Sequence, residues 1–152
     1  MAVNLKKVRD ALNVEEPDYA TAAKMGAEAL PHLKKLVKDE DAMIASKAAY
    51  LAGLIDTAGS ADVVAEAAQS DKAVVRVAAA NTAGHLSEAD ASLYEGLLAD
   101  HDAGVRKAVL RSVEKAGRGD LKPLVQEIAA GDTTETVRQL ASSVAKKLKK
   151  PK

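Results

Sequence analysis

Four stretches of this chain align on one β-branched residue, and their spacing restricts what the chain can fold into. They are Ile44-Ala45-Ser46-Lys47-Ala48, Val75-Arg76-Val77-Ala78-Ala79, Val105-Arg106-Lys107-Ala108-Val109 and Val137-Arg138-Gln139-Leu140-Ala141, separated by 31, 30 and 32 residues. A period in this range marks stacked supersecondary units, none of which buries its apolar face without a neighbour. Downstream of each anchor, apolar or small residues follow at helical spacing: Val105, Ala108, Val109, Ser112, Val113 and Ala116 in the third unit. The same register picks out Val75, Ala78, Ala79, Thr82, Ala83 and Leu86, and then Val137, Leu140, Ala141, Val144, Ala145 and Leu148. In the first unit it selects Ile44, Lys47, Ala48, Leu51, Ala52 and Ile55, with Lys47 expected to snorkel to solvent.

A shorter amphipathic helix is expected before each of these inner ones, over 31–38, 61–69, 89–99 and 121–130. Pro31 suits a first helical position, and Ser60, Ser87 and Asp120 are candidate caps. Helices over 5–13 and 18–30 read as a divergent first unit, with Pro17 at the break. The expected fold is all-α, a right-handed α-solenoid of about four to five helix pairs forming a single domain. Its divisions are a first unit at 1–30, repeats at 31–56, 60–87, 88–117 and 120–148, and a basic tail at 149–152.

Phe, Trp and Cys are absent, so the interior must be built from Ala, Leu, Val and Ile; disulfides, thiolate catalysis and cysteine-ligated zinc are excluded. No apolar window reaches the length of a membrane span and the first residues form no secretory h-region, which makes the cytoplasm the expected location. Formal charge sums to zero but is unevenly placed. Residues 39–102 carry twelve acids and three bases, and residues 103–152 five acids and twelve bases, which predicts a dipolar molecule.

Leu30-Pro31-His32-Leu33, the turn Asp39-Glu40-Asp41 and the run on through Ala48 to Gly53 resemble a HEAT repeat, whose usual form has Leu-Pro, an Asp-x-Asp turn, Val-Arg, small residues and Gly. The third unit resembles it too, with Asp100-His101-Asp102 leading into Val105-Arg106. The likeness covers roughly residues 30–148 and is nearest to the short HEAT-like repeats of phycobilisome lyase relatives. It implies a ladder in which turn acids pair with the Arg of neighbouring repeats. Asp39 or Asp41, Asp71, Asp100 or Asp102, and Asp132 would meet Arg76, Arg106 and Arg138. Ala45 stands where the first Arg is expected, so the ladder would begin at the second repeat.

The exposed side of the inner helices lines the concave face of such solenoids, their usual binding surface. Tyr50, Asn81, Arg111 and Ser143 occupy one equivalent position, and Leu54, His85, Lys115 and Lys147 lie one turn further on. Tyr50 and Arg111 are the best anchors, since amphipathic aromatics and Arg dominate binding hot spots. The plain alternative is a row of ordinary solvated helix positions.

No catalytic constellation, P-loop, dinucleotide fingerprint or His-Glu motif is present; no cofactor and no metal are assigned, and Asp100-His101-Asp102 reads as a repeat turn. Arg118-Gly119-Asp120 spells an adhesion tripeptide where a turn and cap are needed. The expected function is a non-enzymatic scaffold that takes a protein or peptide on its concave face. Two alternatives come from the resemblance: alkylation-repair-like DNA binding, and lyase-like handling of a bilin chromoprotein. The acidic centre and the lack of stacking aromatics among the C-terminal lysines count against nucleic acid.

Overall fold

The computed structural model describes residues 2–149; Lys150, Pro151 and Lys152, most of the basic tail, lie outside the described residues. Ten α-helices run in antiparallel pairs and no strand occurs among the described residues. The pairs are α1 (Leu5–Leu12) with α2 (Tyr19–Ala23), α3 (Leu30–Leu36) with α4 (Ala42–Ile55), and α5 (Ser60–Ala68) with α6 (Ala73–Ala83). Then come α7 (Ala91–Leu98) with α8 (Ala103–Ala116) and α9 (Lys122–Gly131) with α10 (Glu135–Lys147). This is an α-solenoid: α2, α4, α6, α8 and α10 pack side by side in one layer, covered by the shorter helices in the other.

The two layers are unequally tight. Contact between neighbours is more extensive in the inner layer than in the outer one, and small residues set that closeness. A Cβ on Gly53 of α4 would sit 2.2 Å from Thr82 Cγ2 of α6, and one on Gly84 would sit 3.1 Å from Ser112 Oγ of α8. Ser112 Oγ donates to the Ala80 carbonyl at 2.5 Å across that contact. The exposed side of α4, α6, α8 and α10 is the face that a solenoid bent toward this closely packed layer presents as its concave side.

Burial on the inner helices is wider than the single stripe expected. On α8, Val105, Arg106, Ala108, Val109, Leu110, Ser112 and Val113 are all buried, because an interior helix packs against the outer layer and a neighbour on either side. Ala49, Ala80 and Leu110, outside the expected stripe, are fully buried for that reason, while Ala78 and Ala116 inside it are only half-buried. The buried side chains form two clusters meeting at α6, one running from α1 and the other to α10, with half-buried Ala68, Ala89 and Leu93 packed against both.

Several local expectations are corrected. The segment 18–30 is not one helix: α2 stops at Ala23, Gly26 adopts φ +66°, and a 3-10 turn over Gly26–Ala29 leads into α3. Lys47 is half-buried, and its Nζ donates at an exposed place to the Val14 carbonyl at 2.5 Å, beyond the C-terminal end of α1, where a cation suits the carbonyl dipoles. Ser60 lies inside α5, buried, and accepts from the Thr57 amide at 3.0 Å. Ser87 caps no helix; its amide donates to Asp56 Oδ1 at 3.0 Å and its hydroxyl to Oδ2, tying the C-cap residue of α4 to the end of the next repeat.

Candidate functional site

The turn acids and arginines form a chain of inter-repeat pairs. Arg76 Nε donates to Asp100 Oδ2 at 2.9 Å while its Nη1 donates to the Ser70 carbonyl at 2.9 Å. One repeat on, Arg106 Nε and Nη2 donate to Asp132 at 2.8 and 3.0 Å, and Nη1 donates to the Asp100 carbonyl at 2.9 Å. Each guanidinium thereby holds its own turn by the carbonyl and the next turn by the carboxylate, a three-point bond that Lys has no geometry to make.

The acid in each pair is the first of its turn, Asp100 or Asp132. Asp41 and Asp102 instead cap α4 and α8, accepting from the Met43 and Gly104 amides at 2.9 and 2.7 Å. Asp71 is exposed and makes no such pair among the described residues. Arg138 donates to the Asp132 carbonyl at 2.7 Å, with no described repeat beyond it to supply a carboxylate.

Where Ala45 replaces the arginine, Ser70 replaces the acid. Ser70 stands one period from Asp39 and from Asp100, and its hydroxyl accepts from the Lys72 amide at 3.1 Å just as Asp100 accepts from Asp102 at 2.9 Å. The turn's internal bond is thus kept without a carboxylate that would lack a partner in a half-buried place. Lys72 Nζ ties this junction differently, donating to the Glu40 carbonyl at 2.8 Å. Ahead of it, Arg9 on α1 pairs with Asp39, so the pairing starts two units earlier than expected, in the divergent first unit, and skips one junction.

Hydrogen bonds from Arg9 and the Asp41 amide hold the Asp39 carboxyl below the ordinary carboxylate range. At Asp132, burial pushes the other way but the bonds from Arg106 and the Thr134 amide win, and its pKa is also lowered. A carboxyl with a depressed folded pKa stabilises the fold above its unfolded value and loses that contribution as pH falls through the folded one. Thermal melts should therefore hold steady from neutral pH to about 5 and fall steeply below about 4. A melting temperature unchanged at pH 3 would mean that these pairs contribute nothing.

On the open face of the inner layer the structure brings together side chains of α2, α4, the turn after α6, and α8. Tyr19 of α2 meets Tyr50 of α4 edge-on at 4.8 Å between ring centroids, and Tyr50 meets the ring of His85, at the end of α6, at 5.7 Å. Lys115 Nζ of α8 lies 3.3 Å from His85 Nδ1. Partial burial and the neighbouring Lys115 charge both lower the His85 pKa, favouring the neutral ring. Asn81, Arg111 and Ser143 are exposed on the same face, and Lys147 pairs with Glu114 at 3.0 Å. Sequence periodicity omitted Tyr19, because α2 belongs to the divergent unit outside the register that located Tyr50.

Arg118 does not project an adhesion tripeptide. Its fork is taken by Asp120 at 2.9 and 2.8 Å, its Nη1 donates to the Ala89 carbonyl at 2.8 Å, and it stacks over the Tyr94 ring at 4.9 Å. Among the described residues no three His, Asp or Glu side chains gather as a metal site, and no helix is long and apolar enough to cross a membrane.

No family model and no curated protein matches the chain. A solved structure does match in fold: the complex of CpcE and CpcF of phycocyanin lyase from Nostoc sp. PCC7120, with TM-score 0.70 at 18% identity, covering 92% of this chain and 96% of that one. The helical solenoid is thus shared with a phycocyanin lyase subunit.

Proposed function

We propose that this chain is a protein-binding HEAT-like solenoid, non-enzymatic, that receives its partner on the concave face of the inner layer. The observation that carries this reading is the continuous contact run Tyr19, Tyr50, His85 and Lys115, from α2 through α4 and the turn after α6 to α8. Tyr and Arg offer large contact area with a polar handle, and they stand here on rigid helices rather than loops. Asn81, Arg111 and Ser143 extend the surface, and the units 31–56, 60–87, 88–117 and 120–148 each contribute one helix to it.

Capture from a native lysate with the intact protein and a Tyr50→Ala/Arg111→Ala variant tests the reading. If both side chains are hot spots, affinity falls by at least about 30-fold while helicity by circular dichroism is retained. Equal capture by both proteins would remove the face from consideration.

A second reading has the fold likeness to the phycocyanin lyase complex in its favour. In it, the partner is a bilin chromoprotein or a second solenoid chain, and mixing with a bilin chromoprotein should change the bilin absorbance. DNA binding has less support, since the residues from 39 to 102 place twelve acids against three bases.

A further inference from the structure

The concave face changes character along the solenoid. On α4 and α6 it exposes apolar side chains beside Asn81: Met43 is 59% exposed, Val74 53% and Leu54 37%, with half-buried Tyr50 on the same face of α4. Met43 and Val74 are equivalent positions one repeat apart, so they form a row rather than scattered exposures. On α8 the same face carries Lys107, Arg111 and Lys115, at i, i+4 and i+8, which puts three cations on one strip. Among the described residues none of the three is paired with a carboxylate, whereas Arg76, Arg106 and Arg118 are each forked onto one. The nearby acid Glu114 is held by Lys147. Like charges in neighbouring turns repel, and here nothing within the described chain offsets them.

We propose that the partner is an acidic segment of another protein chain, which lays apolar side chains over Met43, Tyr50 and Val74 and sets carboxylates against Lys107, Arg111 and Lys115. This chemistry rests on the reading of the face as a protein-binding surface, and charge complementarity chooses the occupant. With inner helices about 9 Å apart, the distance from α4 to α8 is about 20 Å, the reach of about six or seven extended residues. A short segment is therefore enough to touch both halves. The apolar half supplies burial and the cationic half supplies orientation, since a reversed segment would place its acids over Met43 and Val74. A nucleic acid fits less well, because its charge repeats along its whole length and only one end of this surface is cationic.

Selection from a display library of random peptides of about 12 residues, using the intact protein, tests the assignment. The expected consensus has apolar residues followed by three or more Asp or Glu within about seven positions. A synthetic consensus peptide should then bind at least about 10-fold more weakly when sodium chloride is raised from about 50 to about 300 mM. It should lose about 100-fold on Lys107→Glu/Lys115→Glu and a smaller factor on Lys107→Gln/Lys115→Gln. Lys115 is exposed and Lys107 half-buried, and circular dichroism confirms that each variant remains helical before binding is read.

Enrichment of basic or uncharged peptides, or no enrichment, overturns the assignment. So does a duplex of about 20 base pairs that binds as tightly as the consensus peptide and loses affinity in the same variants, or self-association abolished by the charge reversal. If a lysate protein is captured through Tyr50 and Arg111 while the selected peptides are not acidic, the protein-binding reading stands and the acidic chemistry falls. If neither capture nor enrichment occurs, both fall.

Discussion

Replacing Arg106 with Met should lower stability by about 3–5 kcal/mol, because it strands the Asp132 carboxylate, whose side chain is only 7% exposed, without its counter-charge. The same substitution also leaves the Asp100 carbonyl without its donor. For a chain of this size the melting temperature should fall by roughly 6–20 °C. Arg106→Lys should recover little of it, since an ammonium on a flexible stem cannot hold the Asp100 carbonyl and both Asp132 oxygens at once. Arg106→Met/Asp132→Asn should recover much more: the amide carries no charge to strand and can still accept from the Thr134 amide, now 2.9 Å from Asp132 Oδ1. Below about pH 4 the single variant should approach the double one, as protonation of Asp132 does chemically what Asn does. Urea unfolding followed by helix signal reads all four proteins. A single-variant loss under about 1 kcal/mol would show that the pair's attraction only balances its desolvation.

The loss should also be local. Solenoid repeats touch only their neighbours, so cutting the bond between the turns before α8 and α10 loosens the C-terminal pair first. Amide exchange should accelerate in α9 and α10 while α3 to α6 keep their protection.

Periodicity made the architecture legible for a physical reason: every interior unit solves the same burial problem, so the same register recurs. It failed where the problem differs. In the first unit, which lies outside the repeat register, the pattern drifts, and the break at Gly26 and the placement of Tyr19 were not readable. The width of the buried arc escaped because a single stripe describes a helix with one neighbour, whereas α6 and α8 have several. Turn acids could be assigned to a ladder only as a set. Asp100 and Asp102 are two residues apart, and only the backbone direction at the turn decides which reaches the preceding Arg and which caps α8. The pairing of Ala45 with Ser70 was visible one residue at a time and meaningful only together. The candidate surface was legible as a row of positions; the contacts among Tyr19, Tyr50, His85 and Lys115 required the interhelical spacing, which no pattern in the sequence states.

That spacing leads to the second large effect, at a site remote from any charge. Gly53→Ala should destabilise the protein by about 1–3 kcal/mol, although Ala is the better helix former by about 1 kcal/mol, because the new methyl lands on Thr82 Cγ2 in a fully packed contact. Thr82→Ala alone should be close to neutral: it removes a methyl from the core but also a buried hydroxyl that has no hydrogen-bond partner. Together the two should be at least as stable as the parent. The Cβ at position 53 would then face the Cβ retained at position 82 at 3.6 Å, an ordinary contact, and the helix propensity gain is realised. A coupling energy of about 1–3 kcal/mol in the double-mutant cycle is expected, and additive effects would mean the helices simply slide apart. Gly84→Ala should resist such repair, because its obstacle includes the Ser112 Cα, 3.2 Å away, which no side-chain truncation moves. Since Tyr50 sits on α4 and His85 just beyond α6, the two helices that Gly53 holds together, Gly53→Ala should also weaken partner capture without altering any exposed residue, and Thr82→Ala should restore it.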